Sequence, residues 1–156
     1  MENKRLILIS PWSKPLKNGK ENPKNYPWWK ELVKLLKIDG FYIIQIGILG
    51  EKDIGADEQR FNLSLEELEI LINNCFIVLS VDSFLQHFCW YIKKRGIVIF
   101  GKSDPLIFGH ESNINLLKDR KYLRKNQFWT WEEETYDPEV FVSPEDIMRA
   151  IGVLKW

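Results

Sequence analysis

Residues 75–109 read CFIVLSVDSFLQHFCWYIKKRGIVIFGKSDPLIFG. Phe76 to Val81 is apolar and partly β-branched, the composition of a buried strand. Asp82 and Ser83 interrupt the apolar run. Leu85, Phe88, Cys89 and Ile92 then recur at three- and four-residue spacing, which predicts a helix packed on a sheet. Lys93, Lys94 and Arg95 give that helix a basic end, and Gly96 is expected to stop it. Ile97 to Phe100 is the next buried strand, followed by Gly101. In an open α/β sheet, ligands sit beyond the carboxyl ends of the strands. Asp82, Ser83 and His87 fall at one such end, and Gly101, Lys102 and Ser103 at the next.

The flanking chain repeats this rhythm. Arg5 to Ile9 reads as a short central strand after a polar lead-in of residues 1–4, with Ser10 to Ser13 at its carboxyl end. Lys14 to Lys24, rich in Lys, Asn, Gly and Pro, reads as a loop with room to move. Pro27 can open a helix whose apolar stripe is Trp28, Leu32, Leu35 and Leu36, closed by Asp39 and Gly40. Phe41 to Ile46 is the second strand, and Gly47 to Gln59 a polar loop. Ser64 and Glu67 form a capping box for a helix through Leu68, Leu71 and Ile72. Strands alternating with helices predict a Rossmann-like α/β domain: a parallel sheet with helices on both faces and right-handed crossovers. After Gly109 the chain is basic and irregular over Leu116 to Asn126, and aromatic and acidic over Phe128 to Glu134. Glu139 to Val142 reads as a last short strand. Ser143 and Pro144 then start a helix with the buried stripe Ile147, Ala150, Ile151 and Leu154.

Composition narrows the function. The 156 residues suit one domain with a real core. Basic and acidic residues balance at 22 each, without the excess that a general nucleic-acid binder carries. Two cysteines, Cys75 and Cys89, both in expected buried elements, argue against a disulfide framework and for a reducing cytoplasm. His87 and His110 are the only histidines, and no ligand-spaced cluster accompanies them, so neither a metal nor another cofactor is expected. No apolar run approaches the roughly 18 residues of a membrane span. The fingerprints of P-loop, dinucleotide and nucleophile-elbow enzymes are absent. Trp12, Trp28, Trp29, Trp129, Trp131 and Trp156 lie outside the central unit, where they either pack core and interface or stack on a base or sugar.

Asp82-Ser83-Phe84-Leu85-Gln86-His87, then Ile97 to Gly101, then Pro105, resembles the signature of family 9 glycosyltransferases, the heptosyltransferase-like enzymes. The resemblance is to their carboxyl-terminal, nucleotide-sugar-binding domain, one half of a GT-B fold. It runs over Leu6 to Gly109 and is vague beyond. Phe84 stands where the family has Gly. The resemblance implies a nucleotide-sugar donor at the Asp82-Ser83 turn, with His87 facing it. It implies a polar residue at the first strand end, here Ser10 and Ser13, and a phosphate-side lysine before an aromatic-Pro pair, here Lys24 before Tyr26-Pro27, with Lys14 as alternative. It places an acid for the ribose near Gly50 and Glu51.

The residues themselves leave alternatives beside each role. A helix amino terminus holds phosphate through unpaired N–H groups, and Ser83 adds a hydroxyl. Asp82 either orients that turn or simply caps the helix. His87 is otherwise a hydrogen-bonded packing residue, Lys24 a solvated lysine and Glu51 a surface acid. Gly101 and Lys102 meet the ligand or merely form a turn. No catalytic residue is assigned, because in a GT-B enzyme the general base comes from an acceptor-binding half. The expected partners are therefore a nucleotide-sugar donor and either a separate acceptor-binding chain or a homo-oligomer. The competing expectations are a non-catalytic nucleotide-binding module and a docking domain built on the tryptophans.

Overall fold

The computed structural model describes residues 3–154, so Trp156 lies outside the described residues. Six parallel strands form one sheet in the order β3-β2-β1-β4-β5-β6. They are β1 (Asn3–Ser10), β2 (Tyr42–Gly47), β3 (Glu58–Phe61), β4 (Cys75–Val81), β5 (Gly96–Phe100) and β6 (Ile114–Leu117). The helices are α1 (Trp29–Ile38), α2 (Leu65–Asn74), α3 (Phe84–Tyr91), the single turn α4 (Pro105–Phe108) and α5 (Pro144–Leu154). The expected Rossmann-like α/β architecture forms.

Side-chain alternation along each strand divides the core into two layers. Ile7 and Ile9 of β1 join Trp29, Leu32 and Leu36 of α1 and Ile147 and Ile151 of α5. Leu6 and Leu8 join Leu71 and Ile72 of α2 and Phe88 and Cys89 of α3 on the other face. Strands buried on both faces must be apolar at every position, which is why β1, β4 and β5 are legible as continuous runs. Cys75 and Cys89 are buried free thiols, and burial pushes Cys89 up to about 12.

Three differences from expectation have physical causes. β3 reads EQRF, a polar edge strand whose register with β2 comes from the loop before it rather than from any apolar pattern. β6 closes the opposite edge and runs two residues into the stretch from Leu116 that reads as irregular. The strand expected at 139–142 is instead a 3₁₀ turn, Pro138–Val140, followed by extended chain. Its apolar run is real, however: Val140, Phe141 and Val142 are buried in the first core layer. β1 also starts two residues before Arg5, at Asn3.

The end of α3 differs too. Gly96 opens β5, its N–H donating to Asn113 Oδ1 at 3.0 Å. The helix is stopped by Lys93, which adopts a left-handed φ of 60°. Lys93 N–H donates to Trp90 O at 3.1 Å and Lys94 N–H to Cys89 O at 2.8 Å. That is the hydrogen-bond pair of a Schellman cap, in which glycine is the usual left-handed residue. At α1 the same cap carries Gly40, φ 89°, as the sequence predicts.

Lys93→Gly should therefore stabilise the protein by about 0.5–1 kcal/mol, the left-handed penalty less the entropy that glycine loses. A thermal melt should rise by about 1–4 °C. An unchanged or lower midpoint would show that Lys93 carries no backbone penalty.

Candidate functional site

β1 and β4 lie side by side, with Ser10 paired to Ser80. Beyond their carboxyl ends the chain leaves toward opposite faces, from β1 toward α1 and from β4 toward α3. A crevice must open where such connections diverge. It is a cleft of about 650 Å³, and Ser10, Ser13, Lys24, Glu51, Asp82 and Ser83 all line it. Lys14 lines it as well.

Asp82 is buried, 5% exposed, at the end of β4. Its Oδ2 lies 3.3 Å from Lys24 Nζ, and its Oδ1 accepts from Gln86 Nε2 at 2.5 Å. The carboxylate is thus spent on orienting Lys24 and Gln86 and does not cap α3. The N-cap residue is Ser83, which makes no side-chain cap bond, its hydroxyl donating instead to Val81 O at 3.3 Å. The leading N–H groups of α3 consequently have no side-chain acceptor, and the cleft reaches Ser83, Phe84 and Leu85. Such a helix end beside a lysine attracts an anion. Phe84 is 60% exposed and stacks on Phe88 with ring centroids 5.7 Å apart, so its ring forms cleft wall.

Lys24 is delivered by a loop that is tied down rather than loose. Asn22 Nδ2 donates to Lys14 O at 2.9 Å, and Asn22 Oδ1 accepts from Lys24 N–H at 2.9 Å. Asn25 Oδ1 accepts from Ser13 N–H at 2.8 Å. Both asparagines are buried, so these bonds replace the hydration the loop backbone would otherwise need. The loop also reaches the carboxyl-terminal segment: Lys17 N–H donates to Glu132 Oε1 at 3.3 Å, and Asn18 Nδ2 to Glu132 O at 3.1 Å. Glu132 is held below the usual carboxylate range, chiefly by its hydrogen bond from Thr130. Ser13 Oγ is a buried atom with no partner in the protein, an unmet polar group on the cleft wall.

Sequence reading missed Trp12 and Trp131 as specific cleft residues. Trp12 lines the cleft and donates from Nε1 to Lys52 O at 2.9 Å. Trp131 lies between two cations, with Arg124 Cζ 3.9 Å and Lys24 Nζ 5.2 Å from its ring centroid. Arg124 is itself buried, its Nε 3.3 Å from Glu134 Oε2 and one terminal nitrogen unpartnered. Only the tryptophan count hinted at this arrangement.

Glu51 sits on the loop after β2. Its Oε1 accepts from Ile48 N–H at 2.8 Å, while burial pushes the carboxyl above its usual range. A Cβ on Gly47 would fall 2.7 Å from Glu51 Oε2, so this glycine is needed for the carboxylate to fold back there. The loop is anchored by Gln45, a fully buried strand residue. Gln45 Nε2 donates to Lys52 O at 2.8 Å and its Oε1 accepts from Ile54 N–H at 3.0 Å.

His87, Gly101 and Lys102 do not line the cleft. His87 is exposed on α3, with Nδ1 2.8 Å from His110 Nε2. Gly101 is packed, since a Cβ there would lie 2.7 Å from Phe141 and 2.8 Å from Val140. Lys102 Nζ donates to Glu134 Oε1 at 3.1 Å and Thr135 O at 2.6 Å. The carboxyl-terminal segment, folding back over the end of β5, separates both positions from the cleft. Among the described residues no helix is long and apolar enough to cross a membrane.

The family model for glycosyltransferase family 9 (heptosyltransferase) matches residues 61–135. The resemblance carried by Asp82 to Pro105 is thereby shown, and it continues past Gly109. Ser10, Ser13, Lys24 and Glu51 precede the matched span. No curated protein matches the chain by sequence. Among solved structures, the chain is similar to ADP-heptose lps heptosyltransferase II of E. coli at 16% identity, TM-score 0.66, over 97% of this chain and 46% of that one. A family 9 glycosyl transferase of Veillonella parvula gives 16% identity and TM-score 0.72, over 97% and 46%. The dodecameric iron-containing heptosyltransferase TibC of enterotoxigenic E. coli, in complex with ADP-D-beta-D-heptose, gives 14% and 0.69, over 99% and 46%. The chain spans a little under half the length of these structures. The fold is that of one half of a GT-B heptosyltransferase.

Gln45→Ala should cost about 2–4 kcal/mol, because two backbone groups lose their only side-chain partner. Amide exchange at Ile54 should accelerate; retained protection there would mean the loop holds itself. His110 gives a pH dependence. Burial, and then the neighbouring His87, lower its pKa below the ordinary 6.5. The unfolded chain therefore takes up this proton first, and stability falls as pH drops through about 6.5. Urea midpoints at pH 5 and 7.5 should differ less in His110→Gln than in the wild type, and an equal difference would overturn the linkage.

Proposed function

We propose that the cleft binds a nucleoside diphosphate sugar and that the chain is the donor half of a glycosyl transfer. The observation that carries this is the uncapped amino terminus of α3 opening into the cleft beside Lys24. The helix N–H groups and Lys24 would hold the diphosphate, with Ser83 and Ser13 adding hydroxyls to its oxygens. Glu51 would accept from ribose hydroxyls, as an acid after the second strand does in dinucleotide folds. Asp82 would remain an orienting group, since its own charge repels phosphate. In transfer, the acceptor hydroxyl attacks the anomeric carbon, the glycosyl–oxygen bond to the diphosphate breaks, and the departing oxygens gain charge. Lys24 and the helix terminus would stabilise that charge as it develops.

A second reading, a donor-binding module without transfer of its own, has one observation in its favour. Each carboxylate in the cleft is already engaged: Asp82 by Lys24, Glu51 by Ile48 N–H, and Glu132 by Thr130 and Lys17. A general base for the acceptor would then come from another domain or chain.

Thermal shift against nucleoside diphosphates and their sugars is the direct test. A ligand at ~100 times its Kd should add about 2.7 kcal/mol. Lys24→Met should weaken a diphosphate ligand on the order of tenfold or more, the loss of one charge-assisted contact. Asp82→Ala should also weaken it, by letting Lys24 and Gln86 drift. Affinities unchanged in both variants would remove the cleft from consideration. Transfer to an acceptor by this chain alone would eliminate the second reading.

A further inference from the structure

Away from the cleft, the far end of α3 gathers cations that no acid answers. The helix is 8 residues long, so this end lies about 12 Å from the amino terminus that faces the cleft. A depression of about 220 Å³ is lined there by Trp90, Lys93, Lys94, Arg95 and Ser112. No carboxylate lines it, and among the described residues none pairs with Lys93, Lys94 or Arg95. Elsewhere cations are matched: Lys24 with Asp82, Lys102 and Arg124 with Glu134, Arg120 with Asp104.

The walls are fixed in place. Lys94 Nζ donates to Cys75 O at 2.7 Å, which holds its stem across the start of β4. Lys93 is held in a left-handed cap that would suit glycine better. Gly96 N–H bonded to Asn113 Oδ1 ties the residue after Arg95 to the residue after Ser112. Trp90 is 54% exposed, yet its indole stacks in parallel on His110, centroids 4.9 Å apart at 10°. The beginning of α3 attracts anions through its own N–H groups, whereas at its far end only the side chains of Lys93 and Arg95 can do so, against the partial negative charge of the helix carboxyl end.

We propose that this depression is a second anion site, distinct from the cleft, which takes a phosphate group between Lys93, Arg95 and the Ser112 hydroxyl, with Trp90 as a side wall. The volume admits a phosphate with a small substituent and no nucleotide. The phosphate can belong to a small soluble ester or to a phospholipid headgroup; the adjacent Tyr91, 75% exposed, would contact either substituent. The site does not depend on what the cleft binds.

The test is a titration of the wild-type chain with inorganic phosphate and with glycerol 3-phosphate, followed by amide and indole NMR. Sedimentation with phosphatidylglycerol and phosphatidylcholine vesicles runs in parallel. The control variant is Lys93→Gly with Arg95→Ser, which relieves the strained cap and so keeps the fold. Saturable shifts at Trp90 and Ser112, weakened on the order of tenfold or more in the variant, support the proposal. Vesicle binding that requires phosphatidylglycerol and is lost in the variant supports it and assigns the phosphate to a headgroup. Saturable glycerol 3-phosphate binding without vesicle binding supports it and assigns a soluble ester. Shifts confined to Ser83 to Leu85, shifts equal in the variant, or no binding of any probe would overturn it, leaving the cations as partners of the helix carboxyl end alone.

Discussion

The parallel pairing of β1 with β4 is the constraint on which the cleft depends. These strands are adjacent in the sheet but separated in sequence by two strands and two helices. Their connections leave toward opposite faces, so the end of β1 and the end of β4 cannot be covered by the same helix. The gap exposes the amino terminus of α3 and brings Lys24, from the β1 side, within 3.3 Å of Asp82, from the β4 side. That ion pair joins the two halves of the sheet across the gap. With one partner 6% exposed and the other 23%, it is shielded from water well enough to fix a geometry, though its net contribution to stability need not be large.

Buried polar side chains do much of the shaping around this gap. Gln45, Asn22 and Asn25 are each in the interior, and each bonds backbone groups of a loop; Asn25 also donates from Nδ2 to Glu21 Oε1. An irregular loop can be rigid only when its N–H and C=O groups find such partners. Here the partners hold Glu51 on one side and Lys24 on the other. The carboxyl-terminal segment completes the enclosure. Phe141 and Val140 fill the space over Gly101, Tyr136 donates to Asn25 O at 2.9 Å, and Glu132 receives the 17–18 turn. The carboxyl-terminal segment, through Trp131 and Glu132, therefore supplies one wall of the cleft.

The cation at the helix end is already paired before any ligand arrives. Asp82 neutralises Lys24 in the free protein, so an incoming anion competes for the lysine. Phe84 in place of glycine narrows the approach to the helix end without closing it, because its ring turns aside onto Phe88.

Much of the architecture was legible from the chain itself. β1, β4 and β5 had to be apolar at every position, and Gly40 and the Ser64–Glu67 pair marked helix ends by local chemistry alone. The motif at Asp82 to Pro105 pointed to the family, and Asp82, Ser83, Lys24, Ser10, Ser13 and Glu51 do meet in one cleft. What failed was whatever depends on partners distant in sequence. β3 is a strand because β2 offers an unpaired edge, not because EQRF favours one. Gly101 and Lys102 stand at a strand end, as a ligand-facing turn should, yet the tail from Glu134 to Phe141 folds back over them. His87 points to His110, 23 residues on, instead of the cleft. Periodicity and propensity act within a few residues and so determine elements and their order; the contents of the cleft were decided by long-range packing, which no local pattern encodes.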